Sequence, residues 1–246
     1  MGSKNYKEFK LTQYTKSGGW GAKFSLEDLG QILSLFDLEN KNPNILVDAS
    51  TRDDAAVYKI TNDTCIALTV DFFPPNVDDP YTYGQISAAN SMSDIYAMGG
   101  DPIIGLNIAA FPKKFPIEII NNILLGAKEK CDEAGLSIIG GHTIYDDEPK
   151  YGLAVIGKIN CNEIIKNNTA KSGDLLILTK ALGPGIITQL IKKDSSNISS
   201  ALNESINSMT MLNKKAADIM KNYPVNACVD ITGFGLLGHL YNMIDR

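Results

Sequence analysis

Leu68-Thr69-Val70-Asp71-Phe72-Phe73 is an apolar run interrupted by one carboxylate, and it predicts a strand that delivers Asp71 to a site. A carboxylate in such a place costs several kcal/mol when it is left desolvated and unpaired. Asp54, Asp94 and Asp230 stand in comparable places, beside short apolar runs and small residues. For any one of them, a turn or a helix cap is the alternative. Together, without matching histidines or cysteines, they predict a site for a hard cation, with Mg²⁺ the leading candidate, and for the phosphates of ATP.

The bulk composition indicates a globular protein that neither binds nucleic acid nor spans a membrane. The 246 residues are 44% hydrophobic and 21% charged, with a net charge of -5 and no long basic cluster. No apolar run approaches the roughly 18 residues of a membrane span, and the first residues lack the apolar stretch of a secretory signal. The four cysteines, Cys65, Cys131, Cys161 and Cys228, have no C-x-x-C spacing. We therefore expect a reduced, cytoplasmic protein whose thiols are small core residues.

The chain divides into three predicted parts. Residues 1–24 are polar, with Gly18-Gly19-Trp20-Gly21 at their centre, and we expect them to form a flexible lid. Residues 25–168 form a predicted N-terminal domain that opens with a capped helix at Ser25. Residues 169–246 form a predicted C-terminal domain, which has few strands and looks incomplete.

Hydrophobic periodicity predicts strands and helices in both domains. In the N-terminal domain the predicted strands are 56–60, 65–71, 104–111, 137–140 and 152–159, and the predicted helices are 82–98 and 116–135. In the C-terminal domain the predicted strands are 174–179 and 227–230. Three helices are predicted there: the first begins after Gly183, the second spans 199–222, and the third begins after Thr232.

Three further segments offer groups that bind ligands. Thr51-Arg52-Asp53-Asp54 precedes a predicted strand and combines a hydroxyl, backbone amides and two carboxylates. Asn90 and Asp94 lie four residues apart on a predicted helix, so their side chains share one face, although a surface amide is the alternative for Asn90. Gly140-Gly141-His142-Thr143 ends a predicted strand in a glycine turn, where a ligand can approach backbone N–H groups closely. An ordinary loop histidine is the alternative for His142.

These motifs, taken in order along the chain, resemble those of the selenophosphate synthetase (selenide, water dikinase) family. The matching segments cover nearly the whole chain. They are Leu11-Thr12-Gln13-Tyr14, Gly19-x-Gly21-x-Lys23, Thr51-Arg52-Asp53-Asp54-Ala55-Ala56-Val57, Asp71-Phe72-Phe73, Ser93-Asp94-Ile95-Tyr96-Ala97-Met98-Gly99-Gly100, Gly140-Gly141-His142 and Asp230-Ile231-Thr232-Gly233-Phe234-Gly235-Leu236-Leu237-Gly238-His239.

The resemblance implies a fold, a reaction and a set of site residues. The fold would be the α/β (α+β) fold of the aminoimidazole ribonucleotide synthetase superfamily, with two domains of mixed sheets flanked by helices and a homodimer formed by the N-terminal domain. The reaction would convert ATP, selenide and water to selenophosphate, AMP and orthophosphate. Asp54, Asp71, Asp94 and Asp230 would hold Mg²⁺. The ATP site would be lined by Lys23, Thr51, Arg52, Asp53, Asp71, Asp94, Gly141, His142 and Thr143, with Lys23 also catalytic.

Two departures from the family pattern bear on activity. Trp20 stands where the family usually has a nucleophilic cysteine or selenocysteine, and Ala22 often matches a second cysteine. Because the selenocysteine codon UGA is one base from the tryptophan codon UGG, residue 20 is hypothesised to be selenocysteine in nature. A true tryptophan is the alternative. The family also continues beyond Arg246, so we expect ATP and Mg²⁺ binding to survive better than selenide-dependent turnover.

Two other functions compete with selenophosphate synthesis. Thiamine-monophosphate kinase and a hydrogenase-maturation dehydratase share the aspartate layout, but they are not expected to carry Leu11-Thr12-Gln13-Tyr14 followed by Lys23 in a glycine-framed lid. A non-catalytic nucleotide-binding protein is favoured by Trp20 and the short C-terminal part.

Overall fold

The computed structural model describes residues 9–16, 18–24, 28, 31–32, 41–191 and 199–244. The helix predicted from Ser25 therefore lies mostly outside the described residues. Within those ranges no helix has both the length and the apolar character needed to cross a membrane. Two short 3₁₀ helices, Leu11–Tyr14 and Gly19–Ala22, precede the first strand.

A six-stranded mixed sheet forms the centre of the N-terminal domain. Its strands are β1 (Ile45–Val47), β2 (Ala56–Lys59), β3 (Thr64–Phe73), β4 (Asp101–Phe111), β5 (Ser137–Tyr145) and β6 (Lys150–Asn160). They lie in the order β1-β2-β3-β6-β4-β5. Only β4 and β5 run parallel, because a helix connects them, and the other neighbours are antiparallel. The predicted strands of this domain are confirmed, with β3, β4, β5 and β6 longer than expected. The glycine turn predicted at 140–143 is wrong, because β5 continues through these residues.

Two long helices, α1 (Pro80–Ala97) and α2 (Ile117–Ala134), cover one face of the sheet. The Asp79 carboxylate caps α1 by accepting from the Thr82 N–H at 2.7 Å. Gly135 ends α2 in the left-handed conformation, with φ of 81°. Both helices confirm the sequence prediction, and α1 is buried along most of its length.

A pair of glycines lets α1 and α2 pack at very short range. A Cβ on Gly84 of α1 would lie 1.9 Å from the Ile123 carbonyl oxygen, and one on Gly126 of α2 would lie 2.0 Å from that of Tyr81. No side chain can be accommodated at these distances without moving a helix. This contact fixes α1, which carries Asn90 and Asp94.

The opposite face of the sheet is open in the part of the chain that the structure describes. Alternate residues of a strand point to opposite faces, and β3 accordingly buries Cys65 and Ala67 under the helices. Leu68, Val70 and Phe72 point the other way and remain exposed. Apolar side chains are therefore left uncovered on this face.

In the part of the C-terminal unit that the structure describes, there are four helices joined by segments without regular structure. They are α3 (Pro184–Ile191), α4 (Ser199–Thr210), α5 (Lys214–Met220) and α6 (Gly235–Ile244). The strands predicted at 174–179 and 227–230 are wrong, since neither segment has strand structure. A strand needs a hydrogen-bonded neighbour, and within the described residues none flanks 174–179, so Leu175 and Ile177 are 90% and 85% exposed.

The single long helix predicted over 199–222 is also wrong, because the chain breaks between α4 and α5. Leu212 turns into the core at the break. Asn213 donates from Nδ2 to the Ser93 hydroxyl at 2.8 Å, which fastens the break to α1. A tertiary contact has overridden the local helical pattern.

The expectation that all four cysteines are reduced is wrong for Cys65 and Cys161. Cys65 is the second residue of β3 and Cys161 directly follows β6, and they form a disulfide with a Cα–Cα distance of 5.2 Å. The antiparallel β3–β6 register places Cys65 opposite Ile159, so the two cysteines meet although 96 residues separate them. Cys131 is a free, buried thiol, as expected, and Cys228 is free and half-buried.

Candidate metal and nucleotide site

Three of the four predicted aspartates converge in space. Asp54 lies just before β2, Asp94 lies on α1, and Asp230 lies in the segment that leads to α6. One carboxylate oxygen from each lies within 4.8 Å of the others. These three residues, called the carboxylate trio below, come from three segments that only the folded chain brings together.

Hydrogen bonds from neighbouring residues orient each member of the trio. The Asp230 N–H donates to Oδ2 of Asp54 at 3.3 Å. The Thr69 hydroxyl on β3 donates to Oδ2 of Asp94. Ser93 favours the charged form of Asp230 and so opposes the rise of its pKa, and the Ser93 hydroxyl accepts from Asn213 at 2.8 Å.

The trio concentrates negative charge at a site where Asp94 is buried and Asp54 and Asp230 are half-buried. Burial raises the pKa of Asp230 to about 6, with Asp71 adding to the rise. Burial, followed by repulsion from Asp230, also raises the pKa of Asp54 and that of Asp94 well above the usual range. A divalent cation would relieve this repulsion, and three carboxylates offer the oxygen ligands that Mg²⁺ prefers. The donor set therefore fits the predicted metal.

Asp71 stands beside the trio and outside it. Its Oδ2 accepts from Asn90 Nδ2 at 2.6 Å, and its Oδ1 lies 3.4 Å from the Lys23 ammonium. Asn90 and Asp94 lie on one face of α1, as their spacing predicts. Asn90 contacts Asp71, whereas Asp94 belongs to the trio. Asp71 thus joins α1 to the segment that precedes residue 25.

Two lysines that are far apart in sequence, Lys23 and Lys180, act on the carboxylates. Burial lowers the pKa of Lys23, but the carboxylates of Asp71, Asp230 and Asp94 outweigh it, so that the pKa ends above its usual value. Lys180 donates to the Met211 carbonyl oxygen. Burial lowers the pKa of Lys180 to about 8, although the field of Asp230 opposes that change.

The segment from Thr51 to Asp53 forms a tight loop beside the trio. Arg52 has a φ of 53°, which residues other than glycine rarely adopt. Asn167 holds the loop, because its N–H donates to Oδ1 of Asp53 and its Nδ2 donates to the Arg52 carbonyl, both at 2.6 Å. A cleft of about 410 Å³ opens between this loop and the exposed side of β3 at Leu68. That volume lies in the range of small-molecule sites.

Gly141, His142 and Thr143 lie three strands away from Asp71 within one chain. Asp71 is paired with Leu153, Leu153 with Asn107, and Asn107 with Gly141, so one row crosses β3, β6, β4 and β5. Three strand spacings put Gly141 about 14 Å from Asp71. The exposed edge strand β5 therefore does not bring these residues to the same cleft.

Trp20 lies in the 3₁₀ helix Gly19–Ala22, three residues before Lys23. The Gly19 N–H donates to the Pro74 carbonyl at 3.0 Å, which fixes the start of this helix against the end of β3. Gly19 has φ of 55°, and a Cβ there would lie 2.9 Å from the Asn76 Cβ. Only glycine suits this contact.

Sequence reasoning missed several residues that orient the site. Thr69 could have been found, since it lies two positions before Asp71 on the same strand and therefore on the same face. Ser93, Asn213 and Lys180 carry no comparable signal, because their roles depend on how the C-terminal unit packs against α1.

Two family models match this chain, each over a separate segment. Residues 52–159 match the AIR synthase related protein N-terminal domain family. Residues 171–246 match the AIR synthase related protein C-terminal domain family. Aquifex aeolicus thiamine monophosphate kinase has a similar structure, with a TM-score of 0.66 at 18% identity, over 85% of this chain and 69% of that one. At this identity the likeness shows the shared fold alone.

Two relatives are far closer in sequence. The selenide, water dikinase of Caldanaerobacter subterraneus subsp. tengcongensis is 51% identical over 236 residues, which are 96% of this chain and 68% of the relative. That of Treponema denticola is also 51% identical over 236 residues, 96% of this chain and 66% of the relative. The chain thus spans about two thirds of the length of these relatives. At this level of identity and coverage, the chain belongs to the selenide, water dikinase family.

Proposed function

We propose that this chain makes selenophosphate from ATP, selenide and water, with release of AMP and orthophosphate. The observation that supports this most strongly is the convergence of the carboxylate trio, whose Asp54 lines a cleft of about 410 Å³, near the Lys23–Asp71 pair. The family relationship supplies the substrates. Since AMP keeps neither the β- nor the γ-phosphoryl group of ATP, one of them passes to selenium and the other to water.

The trio of Asp54, Asp94 and Asp230 would hold Mg²⁺, and Asp71 is a further proposed ligand. When bound, Mg²⁺ supplies charge neutralisation for the phosphates of ATP. The described side chains support this assignment, because the trio offers oxygens within 4.8 Å of one another. Thr69 and Ser93 would keep those oxygens in place.

Further proposed ATP contacts come from residues beside the trio. Thr51, Arg52 and Asp53 would contact the nucleotide from the tight loop beside the trio. The Lys23 ammonium would bind phosphate oxygens from the side of Asp71 and neutralise charge that develops during phosphoryl transfer. The segment that carries Lys23 is proposed to act as a lid and exclude water from the bound nucleotide.

A homodimer would bring the distant β5 residues to an ATP site. His142 is opposite Ile108 in the β4–β5 register, and alternation puts it on the open face of the sheet. That face also exposes an apolar group whose members are between 39% and 56% exposed: Leu68, Val70, Phe72, Leu106 and Ile144. Exposed apolar patches mark contact surfaces. We propose that a second copy covers this face, so that its Gly141, His142 and Thr143 approach the first copy's cleft.

A second candidate function is nucleotide binding without turnover, and Trp20 favours it. An indole cannot act as the thiolate or selenolate that the family usually presents at this position. The cytoplasmic location expected from the sequence stays a prediction.

AMP formation separates the candidates. The chain and its Trp20→Cys variant are incubated with Mg²⁺ and ATP, with and without selenide under reducing conditions. Selenide-stimulated AMP release in Trp20→Cys supports selenophosphate synthesis. Tight ATP binding with no turnover in either protein supports the second candidate. ATP turnover that needs a different acceptor would contradict both and favour a kinase such as thiamine-monophosphate kinase.

A further inference from the structure

Thr232 contacts the segment that carries Lys23. The Lys23 ammonium donates to the Thr232 hydroxyl at 3.4 Å, and it lies at the same distance from Oδ1 of Asp71. Lys23 and Thr232 are 209 residues apart. The lysine therefore bridges the central sheet and the C-terminal unit, with one partner on each.

His239 contacts the backbone of Thr232. The Thr232 N–H donates to Nε2 of His239 at 3.0 Å. His239 lies in α6, is almost completely buried, and contacts the Phe234 ring with a centroid separation of 5.5 Å. The imidazole thus joins the start of the 232–235 turn to the helix that follows it.

The histidine ring is fixed in one protonation state. Burial, with the nearby Lys23 charge, lowers the pKa of His239 to about 4, so the ring is neutral near pH 7. Because Nε2 accepts a hydrogen bond, the proton lies on Nδ1. Among the described residues, Nδ1 has no hydrogen-bond partner. Within the described part of the chain, the bond to Thr232 is therefore the one hydrogen bond of this buried ring, which indicates a positioning role.

We propose that Thr232 is the docking point of the Lys23 segment on the C-terminal unit, and that His239 is a positioning residue that fixes Thr232 for this contact. The proposal deepens the proposed function and rests on it, because Lys23 is the cation assigned to the ATP phosphates. With its ammonium held between Asp71 and Thr232, Lys23 points toward the trio before nucleotide arrives. Pre-organisation of this kind lowers the cost of ordering a long side chain during binding.

The contact can be measured directly from the reactivity of Lys23. The protein, without nucleotide, is treated with formaldehyde and dimethylamine–borane, and the methylation of each lysine is followed by peptide mass spectrometry. Lys128, whose side chain is 62% exposed, is the internal reference. Thr232→Val removes the hydroxyl and keeps the shape, so we expect Lys23 to methylate about fivefold faster relative to Lys128. Thr232→Ser keeps the hydroxyl and should match the parent protein.

The positioning role of His239 has its own pair of variants. His239→Leu keeps bulk and removes the acceptor, so Lys23 should become as reactive as in Thr232→Val. His239→Gln retains a polar acceptor and should restore most of the protection. The double variant Thr232→Val/His239→Leu should react no faster than the faster single variant, because both changes act through one contact. Circular dichroism checks folding, and the Thr232 pair tests the docking contact even where His239→Leu does not fold.

Unchanged Lys23 reactivity in Thr232→Val would overturn the docking contact. Additive effects of Thr232→Val and His239→Leu, or His239→Gln as reactive as His239→Leu, would overturn the positioning role. These results are independent of ATP binding, since no nucleotide is present. Absence of Mg²⁺-dependent ATP binding by the parent protein would instead contradict the proposed function.

Discussion

The backbone N–H of Asp230 donates to Oδ2 of Asp54 at 3.3 Å, across 176 residues of sequence. This bond fastens the segment before α6 to the loop before β2. The carboxylate that accepts it is also a member of the trio. The proposed metal site therefore exists only when the C-terminal unit is folded against the sheet. Substitutions that disturb this packing should also weaken the metal site.

Asp94→Asn should stabilise the metal-free protein while it weakens the metal site. The pKa of Asp94 is raised by burial and then by its carboxylate neighbours, so removal of its charge relieves repulsion. Asparagine keeps the oxygen that accepts from Thr69. We expect the free energy of unfolding in EDTA at pH 8 to rise by about 1–2 kcal/mol, measured by urea denaturation.

Asp132→Asn is the matched control for this change. Asp132 is a surface carboxylate whose side chain is 60% exposed and pairs with Lys128. Its replacement should change stability by less than about 0.5 kcal/mol. Asp94→Asn that loses stability in EDTA would contradict the repulsion described for the trio.

The stability of the metal-free protein should fall as pH rises from about 4 to about 6. The folded pKa of Asp230 is about 6, above the usual 3.8, so folded protein keeps a proton that the unfolded chain has lost. Unfolding then releases this proton, and stability decreases with pH across that window by on the order of 2–3 kcal/mol. Denaturation across this pH range in EDTA measures the slope.

Asp230→Asn supplies the comparison for the pH effect, since it lacks the titrating group. Its stability should decline less steeply between pH 4 and 6 than that of the parent protein. Saturating Mg²⁺ should also flatten the parent profile, because a bound cation favours the charged carboxylates. Parallel profiles for the two proteins in EDTA would be incompatible with a raised pKa at Asp230.

Thr69→Val should weaken Mg²⁺ binding although Thr69 is not a proposed ligand. Its hydroxyl donates to Oδ2 of Asp94 and so orients that carboxylate. Loss of a hydrogen bond that orients a metal ligand typically reduces affinity by about 10–100-fold. Calorimetric titration with Mg²⁺ and an ATP analogue measures the change. Thr69→Ser, which keeps the hydroxyl, should bind nearly as the parent does, and equal losses in both variants would exclude this role.

Gly84→Ala should destabilise the fold by about 3 kcal/mol or more through overpacking. The added Cβ would lie 1.9 Å from the Ile123 carbonyl oxygen, so α1 and α2 must separate. Gly185→Ala is the control on another helix, since a Cβ there meets nothing within 4 Å. It should change stability by no more than about 1 kcal/mol. Urea denaturation compares them, and similar losses would show that helix packing does not require Gly84.

The N-terminal domain is largely predictable from sequence because its elements have strong local signals. Asp79 caps α1, Gly135 ends α2, and alternation along β3 separates its buried and exposed faces. Spacing likewise places Asn90 and Asp94 on one face of α1. Spacing cannot show that Asn90 contacts Asp71 whereas Asp94 belongs to the trio, because these contacts depend on how α1 lies across β3.

The errors share one physical cause, which is dependence on distant neighbours. The apolar pattern at 174–179 is that of a strand, but a strand forms only against a hydrogen-bonded partner. The break between α4 and α5 follows from the contact of Asn213 with Ser93, 120 residues away. The Cys65–Cys161 disulfide depends on the β3–β6 register. None of these relationships is encoded in the local pattern.

Calorimetry with a non-hydrolysable ATP analogue tests the central claim, that the carboxylate trio binds Mg²⁺ together with ATP. The parent protein should bind the analogue in Mg²⁺ and lose at least about tenfold in affinity in EDTA. Asp54→Asn, folded as judged by circular dichroism, should bind at least about tenfold more weakly even in Mg²⁺. Equal affinity in Mg²⁺ and EDTA, or an unimpaired Asp54→Asn variant, would contradict the account.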